Sequence, residues 1–246
     1  MSDTTWIILG ASSAMARATA RALAATGAGL LLAGRDATDL AAMAADCRLR
    51  GARFAEVVAF DARDAGSLQP LLDRVGAEEG TLNAAVFVGS MPAQAEIDAD
   101  PGLIGRVVAE NYTGPAEFLH RLAPMLEARG GGAIVGVGSV AGDRGRLGNY
   151  VYGAAKAAFH TYLSGLRNRL GRSGVQVLTV KPGFVDTAMT WGLPGMFLVA
   201  SPEAVARAIL KGVRRRRSVI YAPFFWRWIM LIIRAIPEPI FRKLKI

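Results

Sequence analysis

Along the chain, short runs of Val, Ile, Leu and Ala alternate with longer stretches in which apolar side chains recur every three or four positions. The runs at residues 5–10, 29–33, 54–60, 84–88, 132–137, 175–180 and 219–221 predict seven strands. Residues 14–26, 37–50, 67–77, 101–111, 113–129, 150–171 and 202–216 predict helices between and beyond them. The strand runs are apolar at consecutive positions rather than every second one, the pattern of strands covered on both faces. Strand and helix in alternation then predict an α/β fold: one Rossmann-like, doubly wound parallel sheet with helices on both faces. No short repeat or low-complexity linker divides the 246 residues, a length that one such domain fills.

Charge changes this picture only at one end. The formal net charge is +9. Residues 211–246 hold ten Lys and Arg against the single acid Glu238, so residues 1–210 balance at 19 bases and 19 acids. Residues 224–236 are apolar apart from Arg227 and Arg234, which stand seven apart and share a helical face. A helix of that length covers about 20 Å, short of the roughly 30 Å of a bilayer core, and Pro237 and Pro239 then break it. The pattern predicts a C-terminal amphipathic basic helix, with residues 1–222 as the catalytic body and 223–246 as a tail. Trp226, Trp228 and the flanking bases suit a membrane interface. Packing against the body, as a lid or in a dimer interface, is the other reading of the same apolar face. Arg214 to Arg217 carry no interleaved aromatic platform, so nucleic acid is not an expected partner.

One cysteine, Cys47, and two histidines, His120 and His160, leave no metal-ligand cluster, and no metal is expected. Both histidines fall in helical patterns and read as structural or surface residues. The short polar opening before Trp6 reads as no export signal, and a cytoplasmic location is the expectation.

The first strand runs into Gly10-Ala11-Ser12-Ser13-Ala14-Met15-Ala16 and then a helix. Such a turn brings backbone N–H groups to a pyrophosphate at a helix N-terminus. Gly10, Ser12, Ser13 and Met15 are therefore candidate cofactor contacts, with Ala14 and Ala16 where two further glycines are usual. At the end of the second strand, Gly34 stands where an acid would bind the ribose hydroxyls of NAD, and Arg35 follows. A guanidinium there suits a 2′-phosphate, so NADP(H) is the expected cofactor, NAD(H) the alternative. Asp36 beside it weakens that field.

Tyr152 and Lys156, spaced i to i+4, share one face of a helix. An ammonium beside a phenol favours the phenolate, so Tyr152 is expected to exchange its proton nearer neutral pH. Ser139 ends the fifth strand, at the edge where ligands gather on a parallel sheet.

These residues resemble the short-chain dehydrogenase/reductase family, over roughly residues 5 to 221. Tyr-x-x-x-Lys with a serine thirteen residues upstream is that family's motif, found here as Ser139, Tyr152 and Lys156. Glu110-Asn111-Tyr112-Thr113-Gly114 matches the segment carrying the family's asparagine, which implies that Asn111 positions a proton-relay water. Asp61 after the third strand matches the acid that contacts adenine. Lys181-Pro182-Gly183-Phe184-Val185-Asp186-Thr187 matches the stretch at the nicotinamide end, implying contacts from Pro182, Gly183, Val185 and Thr187. The family's Asn-Asn-Ala-Gly after strand four is replaced by Phe87-Val88-Gly89-Ser90, where only Gly89 fits. The resemblance implies direct hydride transfer, with Tyr152 donating a proton to a carbonyl oxygen and Lys156 lowering its pKa and binding ribose hydroxyls. It also implies a homodimer or homotetramer.

The Gly-Ala-Ser-Ser-Ala-Met-Ala opening and the Trp-Arg-Trp-Ile-Met tail are similar to bacterial reductases related to decaprenylphosphoryl-2-keto-erythro-pentose reductase. That implies a keto-sugar on a polyprenyl phosphate as substrate, with peripheral contact to the inner face of the cytoplasmic membrane. A reductase of another lipophilic carbonyl (3-oxoacyl, ketosphingoid or steroid) and a catalytically silent nicotinamide-binding scaffold are the alternatives.

Overall fold

A computed structural model describes residues 3–192 and 196–244 of the chain. Seven strands, β1 (Thr4–Leu9), β2 (Gly29–Gly34), β3 (Phe54–Ala59), β4 (Thr81–Val86), β5 (Ala133–Val137), β6 (Gln176–Pro182) and β7 (Val219–Ala222), form one sheet in the order 3-2-1-4-5-6-7. Every neighbouring pair is parallel. The order reverses between β1 and β4, where a crevice opens beyond the carboxyl ends of the strands.

Consecutive apolar residues serve opposite faces. Trp6 and Ile8 of β1, with Leu30 and Leu32 of β2, pack under α1 (Ala14–Ala24), α2 (Ala37–Leu49) and α8 (Pro202–Arg214). Ile7, Leu9 and Leu31 pack on the other face with α3 (Leu68–Gly76), α6 (Gly114–Arg129) and α7 (Tyr150–Leu170). Cys47 is buried and unpaired on α2.

The structure departs from the sequence pattern in a few places. Strand β4 starts three residues before the apolar run because Asn83 is buried and its Oδ1 accepts the Ala133 N–H at 2.7 Å. A short helix, α4 (Gln94–Ala99), precedes α5 (Leu103–Val108). From α5 the chain does not break but passes through a π-helical turn, Ala109–Thr113, directly into α6. Pro115 follows that π-helical turn, so its missing N–H falls where the regular α-helical ladder is already interrupted. After α9 (Trp226–Ala235), Pro237 ends the helix and α10 (Glu238–Phe241) adds one more turn. Among the described residues no helix is long and apolar enough to cross a membrane.

Candidate active site

At the end of β1 the backbone turns at Gly10 with φ +71°, and a Cβ there would stand 2.9 Å from the Val88 nitrogen. Only glycine combines that conformation with so close an approach. Ser13 then caps α1, its Oγ accepting the Ala16 N–H at 3.2 Å. Ala16 is fully buried, so the alanine in the third glycine's place still allows close packing of helix on sheet. Met15 is half-buried against the apolar cluster beneath α1.

Gly10, Ser12, Ser13, Arg35, Asp61 and Gly89 line one cleft of ≈ 190 Å³ at the switch point. Arg35 is exposed there. Asp36 forms no ion pair with it; its carboxylate caps α2 by accepting the Asp39 N–H at 3.0 Å. Asp61 is held by Arg63, which donates from its backbone N–H (3.0 Å), Nε (3.1 Å) and a terminal nitrogen (2.7 Å). The Arg63 contacts hold the Asp61 carboxyl down at about 2.

At the end of β4, Gly89 lies against two of the candidate residues. A Cβ on it would be 2.5 Å from Asn111 Oδ1 and 3.0 Å from Lys156 Nζ. The replaced family motif thus keeps its glycine where close approach demands one. Asn111, fully buried in the π-helical turn, donates from Nδ2 to the carbonyls of Ser90 (2.8 Å) and Val107 (3.0 Å). Its Oδ1, and the Ser90 hydroxyl nearby in sequence to Gly89, are buried without a protein partner. Insertion of an extra residue in a helix turn often marks a site of this kind.

Tyr152 and Lys156 are both buried on α7, with Nζ 5.8 Å from the phenol ring centroid. Lys156 donates to the carbonyls of Val88 and Val137, each at 3.3 Å, which ties it to the ends of β4 and β5. Burial pulls the ammonium down to about 8. Burial also pushes the Tyr152 phenol up to about 12, against the pull of the Ser139 hydroxyl and the Arg146 guanidinium. The direction is opposite to the one expected: desolvation of the phenol outweighs the groups that favour its ionised form. Ser139 Oγ accepts the Ala141 N–H at 3.1 Å, which leaves its own proton free to donate.

Pro182 ends β6, and Gly183, Val185 and Thr187 follow it; Val185 pairs with Ala200 in an isolated bridge, and the Thr187 N–H donates to Thr190 Oγ1 at 3.3 Å. This segment stands beside β5 and β7 rather than on the cleft of Gly10 and Arg35.

Two groups here were not singled out by the sequence. His160, four residues beyond Lys156 and so on the same face of α7, accepts the Ser139 N–H through Nε2 at 3.3 Å. Arg146 presents a buried, unpartnered Nε in the turn before α7. The i+4 spacing could have flagged His160; nothing in the local pattern distinguishes Arg146 from a solvated loop arginine.

The helix N-terminus behind Gly10, the exposed Arg35 and the buried unpartnered polar atoms at Asn111 and Ser90 fit a nicotinamide dinucleotide. Comparison with known proteins decides the kinship. The family model for short chain dehydrogenases matches residues 4–195.

This chain belongs to the short-chain dehydrogenase family.

It is an NAD(P)-dependent oxidoreductase of that family. An uncharacterised oxidoreductase of Mycobacterium tuberculosis is 35% identical over 239 residues, covering 97% of this chain and 96% of that protein. A cis-4-hydroxycyclohexanecarboxylate dehydrogenase of Sinomonas cyclohexanicum is 32% identical over 218 residues, 82% of this chain and 86% of its own. Among solved structures, a short-chain dehydrogenase from Sphingobium yanoikuyae in complex with NADPH superposes with a TM-score of 0.83 at 28% identity, covering 96% and 97% of the two chains. Among the described residues no cluster of ligating side chains could hold a metal.

The tail of this short-chain dehydrogenase packs one face of α9 on the body. Trp226 and Met230 are buried with Val140, beside Phe184 and Tyr221. Trp226 lies over Gly183, where a Cβ would come within 1.9 Å of the indole Nε1. Arg144 clamps the helix end, donating to the carbonyls of Ile233 (2.6 Å) and Ile236 (2.7 Å) and pairing with Glu238. The opposite face leaves Phe224, Trp228, Leu231 and Ile232 exposed. Phe224, Trp228 and Leu231 border a groove of ≈ 1540 Å³ between α8, β7 and α9, whose walls carry eight cations, Arg227 and Arg234 among them, and no acid. This groove is remote in composition from the cofactor cleft and shares no residue with it.

Proposed function

We propose that this enzyme reduces a carbonyl to an alcohol with NADP(H), its substrate a keto-sugar carried on a lipid phosphate. The reading rests above all on Tyr152 and Lys156, buried together on α7 with Nζ 5.8 Å from the phenol ring centroid, a proton donor beside a cation. Bound nicotinamide supplies the hydride. Tyr152 donates its proton to the substrate oxygen, while Ser139, whose hydroxyl proton is free, donates to the same oxygen and holds it in place. Lys156, anchored on Val88 and Val137, keeps a positive charge beside the phenol at neutral pH and stabilises the negative charge left when the proton departs. Asn111, fixed through Nδ2, keeps Oδ1 available for a water that returns a proton along Lys156 to Tyr152.

Gly10, Ser12, Ser13 and Met15 would receive the pyrophosphate, Arg35 the 2′-phosphate, Asp61 the adenine and Gly89 the ribose side. Pro182, Gly183, Val185 and Thr187 would face the nicotinamide. The exposure of Arg35, with Asp36 occupied as a helix cap, supports NADP(H) over NAD(H). The NADPH complex of the Sphingobium relative is in keeping with that choice.

The lipid-linked substrate is supported by the cationic groove and the exposed apolar face of α9, which suit phosphate headgroups and an interface. Residues 223–246 would then act as a docking segment that is also part of the wall beside Gly183. The test is NADPH oxidation with polyprenyl-phosphate 2-keto-pentose, alongside a 3-oxoacyl and a steroid ketone. Turnover of the keto-sugar at least tenfold better than the others supports the reading; preference for another ketone overturns the substrate and leaves the reductase.

A further inference from the structure

Arg146 stands out among the charged groups near Tyr152. It lies in the turn that joins the Ser139 loop to α7, with its carbonyl accepting the Asn149 N–H at 3.2 Å. Its Nε is buried and has no hydrogen-bond partner among the described residues, and neither has the side-chain oxygen of Asn149 three residues on. Burial pulls the guanidinium down from its ordinary value, and its charge acts on the Tyr152 phenol. The carboxylate whose field reaches it is Asp143, but Asp143 is already engaged: Lys181 donates to one oxygen at 2.5 Å and the Tyr221 hydroxyl to the other at 2.6 Å. Two neighbouring arginines are compensated, Arg63 by Asp61 and Glu110 and Arg144 by Glu238 and three backbone carbonyls.

A buried guanidinium N–H left without a hydrogen-bond partner is destabilising. A chain tolerates one where an anion arrives to pair with it. The planar fork of a guanidinium matches a carboxylate or a phosphate with two parallel hydrogen bonds. The side chain sits on the Ser139–Tyr152 loop, not at the cleft of Gly10, Arg35 and Asp61, so the anion belongs to the substrate rather than to the cofactor.

We propose that Arg146 is a specificity-determining residue that binds an anionic oxygen group on the carbonyl substrate and so sets the distance between that anion and the carbon reduced beside Tyr152. The proposal rests on the carbonyl-reductase reading of Tyr152 and narrows its substrate class to anionic ketones. A phosphate and a carboxylate share the chemistry that Arg146 would recognise.

The experiment uses the full chain with NADPH and two matched pairs of ketones: ribulose 5-phosphate against ribulose, and 4-oxocyclohexanecarboxylate against its methyl ester. In the wild type, kcat/KM favours the anionic member of at least one pair by about tenfold or more. Arg146→Gln removes that preference by lowering kcat/KM for the anionic ketone about 10–100-fold more than for its neutral partner. Arg146→Lys restores part of it. The pair that discriminates identifies phosphate or carboxylate as the group. Binding to the enzyme–NADPH complex, read from nicotinamide fluorescence, gives the same comparison without turnover. Absence of turnover with discriminating binding counts against the reductase reading alone. No preference in the wild type, a preference that survives in Arg146→Gln, or equal losses on both members of a pair overturns the role of Arg146.

Discussion

The backbone N–H of Ser139 donates to Nε2 of His160 across 3.3 Å, joining the end of β5 to the middle of α7 behind the active-site hydroxyl. A ring nitrogen that accepts must be unprotonated, and the surroundings agree. Burial, with the positive charges of Lys181 and Lys156, pulls His160 down to about 3 despite Asp143, whose Oδ1 is 3.7 Å from Nδ1. The neutral imidazole is thus part of what fixes the Ser139 backbone.

That relationship makes stability depend on pH. The His160 pKa is about 3 in the folded chain and near 6.5 when unfolded, so between those values the unfolded state binds more protons. Stability is complete above pH 6.5 and falls as pH drops through the window. At pH 5 the loss amounts to about 2 kcal/mol. Urea unfolding at pH 7 and pH 5 measures it, and His160→Gln is expected to lose this part of the difference. An unchanged slope in the variant would sink the assignment.

Tyr152→Phe removes the proton donor and leaves the ring packed. The expected fall in kcat is about 10²–10⁴-fold, with NADPH affinity within about twofold of wild type, since no phosphate or adenine contact is touched. Stopped-flow hydride transfer and equilibrium nucleotide titration separate the two quantities. Lys156 adds a pH signature: its charge is lost above about pH 8, so the reduction rate declines on that side of the profile.

Gly89→Ala places a methyl group 2.5 Å from Asn111 Oδ1 and 3.0 Å from Lys156 Nζ. Either group must move, and Lys156 can do so only by lengthening its bonds to Val88 and Val137. Activity is expected to drop about 10²-fold, the scale on which small misplacements act in catalysis. A fully active variant contradicts the close approach.

Arg35→Ala removes the one cation at the end of β2 whose neighbour Asp36 is spent on a helix cap. Charge-assisted hydrogen bonds to a phosphate are each worth about 1.5–3 kcal/mol. The Kd for NADPH is therefore expected to rise about 10–100-fold, while that for NADH changes little. Equal changes for both nucleotides would assign Arg35 to something other than the 2′-phosphate.

Arg215, Arg217 and Arg227 line the groove by β7 and are exposed. Each base near an anionic membrane surface contributes about 1 kcal/mol. Replacing all three with Gln is expected to weaken binding to phosphatidylserine vesicles roughly 100-fold at constant salt, with soluble-substrate activity kept. Co-sedimentation with neutral and anionic vesicles reads the effect; identical binding by wild type and variant removes the groove from membrane docking.

The strand runs, the helix between each pair of them and the Tyr152–Lys156 spacing were legible in the chain because each is set by neighbours a few residues away. Continuous Leu30-Leu31-Leu32, bounded by Gly29 and Gly34, fits a strand with two covered faces, and the structure covers both. Two short helices, α4 and α10, escaped because they span four to six residues and carry no full apolar period. Strand β4 was misjudged at its start because Asn83 looks polar until Ala133 is seen to satisfy it.

What the sequence determined by itself was therefore the order of elements, the two-faced sheet and the set of groups at the carboxyl ends of its strands. Only the tertiary structure decided how those groups are charged and paired. The direction of the Tyr152 shift follows from burial by residues distant in sequence, such as Ile97 and Val107. The compensation of Asp143 by Lys181 and Tyr221, and the lack of it at Arg146, depend on strands β6 and β7 reaching the Ser139 loop. Desolvation and Coulomb interactions act through space, so they are fixed by the packing that closes these long separations and not by spacing along the chain.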